Sequence, residues 1–248
     1  MCFTKIKDLI ANYENLQNNN SLLSNDYNIL NSIPDISKKG KVSVIVSRPG
    51  DGKSTFLLQA AICFAYFNNT PCYLFSAQMP TFETIQHIIK ILPNSILLSE
   101  LPIWIFNSET ISINEIEFAV KNKIEDGIVL VDSYESVKSQ SRRQTLTKLN
   151  ILAKERNLPI VFSTSIFTAK EEKWYKTEEI CPRLADLPYL ENVDNAVILY
   201  RESFYFKYNF VNRNANRVKV ITVKSSAPEN KINFLEWTPE KHCFRGNF

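Results

Sequence analysis

Cysteine is scarce and scattered. Cys2, Cys63, Cys72, Cys181 and Cys243 are odd in number and show no Cys-x-x-Cys spacing, which excludes a disulfide framework and reads as reduced, intracellular thiols. The two histidines, His87 and His242, stand isolated, so they offer no metal constellation. A dominant charge is also lacking: 29 basic against 26 acidic residues leave a net charge of only +3. That balance excludes a general attraction to nucleic acid or anionic lipid, and any basic surface must be local. The most apolar run, Phe56 to Phe67, is broken by Gln59 and has about half the length a bilayer demands. The opening Met1-Cys-Phe-Thr-Lys-Ile-Lys-Asp8 carries an early acid and no long apolar core, so no secretory signal is read. Internal repeats are absent, and Gln17-Asn-Asn-Asn-Ser21 is the only low-complexity tract. These absences predict a cytoplasmic protein with no membrane contact.

The chain does have ample apolar content. At 248 residues and 44% hydrophobic it suffices for one large α/β domain, or two small ones. Phe3, Ile6, Ile10 and Tyr13 recur at helical spacing before the asparagine run. They predict a short helix on a tether, packed on its own domain or donated to a neighbouring subunit. Apolar strands are read at 42–47, 71–76, 102–106, 127–132 and 158–163, with helices after the first, at 82–91, at 114–123 and at 144–156. Such alternation is what a parallel sheet covered on both faces requires. In the last third the pattern changes. Segments 195–200, 218–223 and 232–237 read as strands with no helix between them, which predicts an antiparallel extension.

One stretch organises the rest. Val42-Ser-Val-Ile-Val-Ser-Arg-Pro-Gly-Asp-Gly-Lys-Ser54 runs from a buried strand through a tight loop into a helix. Consecutive backbone N–H groups in such a loop curl around a polyphosphate, and the helix dipole adds partial positive charge. Lys53 would reach the terminal phosphates and Ser54 would ligate magnesium. The motif asks for glycine where Ser47 stands, but Gly52, Lys53 and Ser54, which make the phosphate and metal contacts, are all present, and Gly50 is free to take positive φ. Arg48, Pro49, Gly50, Asp51, Gly52, Lys53, Ser54 and Thr55 are thus the expected nucleotide-binding residues. The bland alternative is a surface turn that happens to carry Gly-Lys-Ser.

Asp132 closes an aliphatic strand downstream of that loop, where a carboxylate can hold magnesium through water opposite the Ser54 hydroxyl. Taken alone it would read as a helix cap or turn residue. Three residues on, Glu135 reads as an exposed loop glutamate, with a substitute catalytic base as the second reading. The segment after Asp132 carries Lys138, Arg142 and Arg143, which suit phosphate contacts to single-stranded nucleic acid or merely solvate the loop. A second basic and aromatic segment spans 168–176 but includes two glutamates.

Several runs, in order along the chain, resemble bacterial replicative DNA helicases of the DnaB type. Ser47-Arg-Pro-Gly-Asp-Gly-Lys-Ser54 is similar to their Gly-Arg-Pro-Ser-Met-Gly-Lys-Thr loop, and Phe75-Ser-Ala-Gln-Met-Pro80 to the run that carries their catalytic glutamate. Leu149-Asn-Ile-Leu-Ala-Lys-Glu-Arg-Asn-Leu-Pro-Ile160 is similar to a helix and strand of the family. Arg183-Leu-Ala-Asp-Leu187 and Glu191-Asn-Val-Asp-Asn-Ala-Val-Ile-Leu-Tyr-Arg201 match two later motifs. The resemblance covers about residues 25 to 245. It implies a RecA-like P-loop fold over residues 22–248, with 1–21 as an N-terminal helix and tether: a mainly parallel sheet, helices on both faces and the antiparallel extension. It also implies ATP and Mg2+ as ligands, a homo-oligomeric ring, hexameric in the family, around single-stranded DNA, and contact with other replication proteins.

The departures from the family fall on its chemistry. Gln78 stands in place of the catalytic glutamate, Ser165 in place of a sensor glutamine, and Ser226 in place of an arginine finger acting in trans, while Lys224 keeps that strand's lysine. The resemblance therefore implies Lys53, Gln78, Asp132 and Lys224 as the catalytic set. Losing such a finger costs about a thousandfold in rate, roughly 4 kcal/mol. Two functions follow as expectations: an ATP-driven DNA motor, or a nucleotide-binding but barely hydrolysing relative serving as loader, clamp or regulatory subunit. A recombination protein of the KaiC or RecA kind fits the motif order less well.

Overall fold

The computed structural model describes residues 3–11, 13, 23–33, 35–92, 94–106, 108, 110–166, 192–201, 216–224 and 231–246. Among these residues ten strands form one sheet: β1 (Phe3–Lys5), β2 (Val42–Ser47), β3 (Cys72–Ser76), β4 (Ile103–Phe106), β5 (Ile128–Asp132), β6 (Ile160–Ser165), β7 (Asn195–Tyr200), β8 (Arg217–Lys224), β9 (Lys231–Thr238) and β10 (Cys243–Gly246). Their spatial order is β1-β4-β3-β5-β6-β2-β7-β8-β9-β10. From β4 to β7 every pairing is parallel, whereas β1 at one edge and β8 to β10 at the other are antiparallel. The expected parallel sheet with an antiparallel extension is what the chain forms. No helix among the described residues is long and apolar enough to cross a membrane.

Strand periodicity sorts the core into two layers. Alternate residues of a strand face opposite sides, so Ile45, Leu74, Ile128 and Leu130 join one apolar cluster while Val44, Val46, Phe75, Val129 and Val131 join the other. The first cluster is covered by α1 (Ile6–Ile10), α2 (Lys53–Phe67), α3 (Thr81–Ile91) and α4 (Ser95–Glu100). The second lies under α5 (Ile113–Lys123) and α6 (Arg142–Arg156). Because both sides are covered, β2 is buried at every position, including its two serines, Ser43 and Ser47.

Helix α2 departs from the usual one-sided pattern. Twelve of its fifteen residues are buried, because it is enclosed by the sheet on one side and by β10 and the 3-10 turns Asn25–Tyr27 and Ile29–Ser32 on the other. Its single buried amide, Gln59, donates to the carbonyls of Tyr27 and Phe244 at 2.9 and 2.7 Å and accepts from the Phe244 N–H at 2.8 Å. The turn Asn25–Tyr27 and strand β10 are thereby fastened to the helix that follows the phosphate loop.

The N-terminus differs from the expected helix. Phe3–Lys5 is a strand in register with Trp104–Phe106, and only Ile6–Ile10 is helical. The Phe3 ring meets Tyr73, Phe75 and Phe106 edge-on at 5.2 to 5.4 Å, and Tyr13 stacks on Phe82 at 5.8 Å. Three aromatic contacts and a strand edge decide the conformation of a segment whose spacing alone suits a helix. These described residues pack on the same chain's sheet.

Candidate nucleotide and catalytic site

The loop between β2 and α2 leaves the sheet at its carboxyl edge, where ligands sit in parallel α/β folds. Gly50 and Gly52 take φ of +89° and +94°, conformations that a side chain disfavours. Pro49 and Gly50 are exposed at the tip, whereas Asp51 is wholly buried. Arg48 lies over the Tyr200 ring, 6.0 Å from its centroid. Lys53, Ser54 and Thr55 form the first turn of α2, whose amides have no partner within the helix. Lys53 is buried in that turn.

Ser54 and Asp132 meet as the sequence predicts. Ser54 Oγ donates to Asp132 Oδ1 at 3.1 Å, and Ser163 Oγ from β6 donates to the same oxygen at 2.5 Å. Asp132 Oδ2 is buried without a hydrogen-bond partner. Burial pushes the Asp132 carboxyl above its ordinary range, and the Ser163 and Ser54 hydroxyls and the Lys53 ammonium pull it back. A hydroxyl beside a carboxylate with one unused, enclosed oxygen is a hard-oxygen donor set of the kind Mg2+ takes, with water completing the shell. The residues present therefore fit a nucleotide-bound magnesium. Among the described residues no group of three or more His, Cys, Asp or Glu could hold any other metal.

The ends of β3 and β6 flank this centre. The Asp132 carbonyl accepts from the N–H groups of Ala77 and Gln78 at 2.5 and 3.0 Å, so Gln78 is tied by its backbone to the acidic strand end while its side chain is exposed. Ser165 is paired with Ser47, the residue at the root of the loop, and the next amide, Ile166, donates to the Ser47 carbonyl at 2.9 Å. Sequence reasoning did not find Ser163. The signal was present, since Ser163-Thr-Ser165 ends an otherwise apolar strand with three polar residues.

Lys224 stands elsewhere. It pairs with Ala196 of β7, which pairs with Val44 of β2, so it lies toward the opposite edge of the sheet from its own loop. The separation is roughly 10 Å along the strands at about 3.3 Å per residue, and roughly 10 Å across two strand spacings. Its chain's own phosphate loop is out of its reach. Ser226, the segment 168–176, the run 183–187 and Glu191 fall outside the described residues.

The loop after Asp132 is ordered by its own contacts. Arg142 donates through Nη1 to the carbonyls of Tyr134 and Val137 at 2.7 and 3.2 Å and through Nη2 to that of Glu135, and its guanidinium lies 5.5 Å from the Tyr134 ring. The Tyr134 hydroxyl returns a bond to the Arg142 carbonyl. Arg142, expected as a nucleic-acid contact, also braces this loop while remaining exposed. Lys138 is pinned by its backbone between Ile111 and Ile113 at 2.8 and 3.1 Å, and its side chain is exposed, as is that of Arg143. Glu135, expected in solvent, is half-buried and accepts from Thr164 Oγ1 at 2.8 Å and from the Ser165 N–H.

No protein-family model matches the chain. Among curated proteins it is 25% identical over 207 residues to the replicative DNA helicase DnaB of Leifsonia xyli subsp. xyli, covering 68% of this chain and 44% of that protein. It is 24% identical over 229 residues to a probable replicative DNA helicase of Trieres chinensis, covering 75% and 49%. The chain thus spans about half the length of these relatives. Among solved structures, a DnaB-like replicative helicase described with its interactions with primase superposes with a TM-score of 0.74 at 21% identity, over 86% of this chain and 58% of that one. The ATPase domain of G40P gives 0.73 at 20% identity, over 98% and 95%. The archaeal flagellar accessory protein FlaH from Methanocaldococcus jannaschii gives 0.62 at 13% identity, over 92% and 98%. The chain is a RecA-like domain that resembles DnaB-type replicative helicases in sequence and, in fold, their ATPase domains.

Proposed function

We propose that this chain binds ATP with magnesium at residues 48–55 and uses its hydrolysis to act on single-stranded DNA, as the ATPase part of a replicative helicase of the DnaB type. The observation that carries the reading is the bond from Ser54 to Asp132, with Asp132 Oδ2 enclosed and unused. Lys53 at the helix start would hold the terminal phosphates, and the amides of the first turn would accept the negative charge of the polyphosphate. When bound, Mg2+ would draw charge from the β- and γ-phosphate oxygens. Lys138 and Arg143 on the loop after Asp132 would touch DNA phosphates without reading sequence.

A ring of subunits, hexameric by the family's example, accounts for the position of Lys224. Lys224, far from its own loop, would serve a neighbour's in such a ring. Contact with other replication proteins and a cytoplasmic setting belong to the same reading. Gln78 stands at the position of the family's glutamate and carries no base, so the proton of the attacking water would have to go to another carboxylate of the site. Calorimetry of Mg·ATP with wild type and Lys53→Ala, beside ATPase assays with and without single-stranded DNA, tests the proposal. Binding that vanishes in the variant, with turnover raised by DNA, is the expected result. Absence of binding by the wild type would overturn it.

A further inference from the structure

Position 78 leaves a gap in the chemistry, because an amide aligns water but has no lone pair basic enough to take its proton. Three carboxylates of the described residues belong to this edge of the sheet. Asp51 is enclosed within the loop with no exposed surface. Asp132 gives one oxygen to the hydroxyls of Ser54 and Ser163 and keeps the other buried without a hydrogen-bond partner, where it is reserved for the proposed magnesium. Glu135 is the third. Its Oε1 is fixed by Thr164 Oγ1 and the Ser165 N–H, while Oε2 is buried with no hydrogen-bond partner.

A buried carboxylate oxygen left unpaired is costly and needs a reason. Its surroundings supply one. Ser165, which holds Oε1, pairs with Ser47 at the root of the phosphate loop, and Glu135 follows Asp132 by a single short turn (Tyr134–Ser136). The turn is braced: Tyr134 stacks on Phe162 at 4.8 Å, and Arg142 grips the carbonyls of Tyr134 and Glu135 and that of Val137 just beyond it. One oxygen is thus clamped at the end of β6, beside the strand that feeds the phosphate loop, and the other is enclosed without a partner.

We infer that Glu135, and not the residue at position 78, is the base that accepts the proton of the attacking water. The inference rests on the ATPase reading above. A water O–H bond breaks and its proton passes to Glu135 Oε2, while the water oxygen forms a bond to the γ-phosphorus. The bond between that phosphorus and the β,γ-bridging oxygen breaks, its electron pair leaving on ADP, and Glu135 afterwards releases the proton to solvent.

Glu135→Gln separates this role from a structural one, because the amide keeps a carbonyl oxygen for Thr164 and Ser165 but loses the basic lone pair. Single-turnover hydrolysis is measured for wild type, Glu135→Gln and Gln78→Ala, with fluorescent-nucleotide affinity measured on each. The expected result is a loss of about 100-fold or more in Glu135→Gln with affinity within threefold of wild type, and a loss under tenfold in Gln78→Ala. A rate in Glu135→Gln within threefold of wild type overturns the inference. So does a fall in rate matched by a fall in affinity, or a wild type that binds nucleotide and never hydrolyses it. A wild type that binds no nucleotide overturns the ATPase reading itself, which sets that failure apart from the others.

Discussion

Phe244, on the last strand, closes directly against Gly52 of the phosphate loop: a Cβ at position 52 would stand 2.9 Å from the Phe244 Cζ. The ring is itself wedged edge-on between Phe56 at 5.4 Å and Trp237 at 5.0 Å, so it has little room to retreat. Gly52 is also at φ +94°, where an L side chain costs about 1–2 kcal/mol. Gly52→Ala should therefore lower nucleotide affinity by about tenfold or more, a change of about 1.4 kcal/mol, and lower the melting temperature of the nucleotide-free protein as well. Calorimetric titration and scanning calorimetry on the same variant check both. Affinity and melting temperature equal to wild type would show that the loop does not depend on this contact.

The amide of Gln59 bridges elements that sequence sets far apart. Gln59 bonds three backbone groups in the interior: the N–H and carbonyl of Phe244, and the Tyr27 carbonyl, which also accepts from Cys63 Sγ at 3.3 Å. Gln59→Leu keeps the volume and removes every bond of the side-chain amide. Stranded buried backbone groups cost about 1–3 kcal/mol each before relaxation, so a net destabilisation of about 3 kcal/mol is expected. Urea unfolding should show it as a lower midpoint at unchanged slope.

What was legible in the sequence was local. A strand, a glycine-bearing loop and a helix follow one another without interruption from Val42 to Phe67, so the phosphate loop could be read directly, and Asp132 was marked by the aliphatic strand it ends. The alternation of strands and helices gave the parallel sheet for the same reason, and the turn-rich spacing of β7, β8 and β9 gave the extension. Long-range pairing was not legible. Phe3 to Lys5 became a strand because Trp104 to Phe106 offer an edge, and β10 formed because Gln59 and β9 receive it. Glu135 was misread as an exposed residue since its partners, Thr164 and Ser165, lie about thirty residues away, on a neighbouring strand. The motif sets Lys224 on the strand of a finger acting in trans, but its distance from its own chain's Lys53 follows only from the strand register.

Asp132 illustrates a conflict between stability and use. Its carboxylate is buried, with Oδ2 unpartnered, and burial raises its pKa. A neutral amide of the same shape costs less to enclose. Asp132→Asn should raise the melting temperature of the nucleotide-free protein by a few degrees and weaken Mg·ATP binding by about tenfold or more. Thermal denaturation with and without Mg·ATP reads both effects. A variant less stable than wild type in the absence of nucleotide would show that the charge supports the fold rather than burdens it.

The basic residues of the loop after Asp132 should divide into two behaviours. Lys138 and Arg143 have exposed side chains, so replacing both with alanine should leave the melting temperature unchanged. If each touches one DNA phosphate, single-strand affinity should fall, and the dependence of log affinity on log salt should flatten by about 1.4, at about 0.7 per contact. Arg142 holds the carbonyls of Tyr134, Glu135 and Val137, and bonds to a charged donor contribute about 1.5–3 kcal/mol. Arg142→Ala should therefore lower stability and open the loop to proteolysis between residues 133 and 141, with DNA affinity lost only as a consequence. Salt titrations of single-stranded DNA binding, run beside limited proteolysis, distinguish the two. A salt slope unchanged in the double variant would remove this loop from the DNA path, because two released counterions cannot leave the slope where it was.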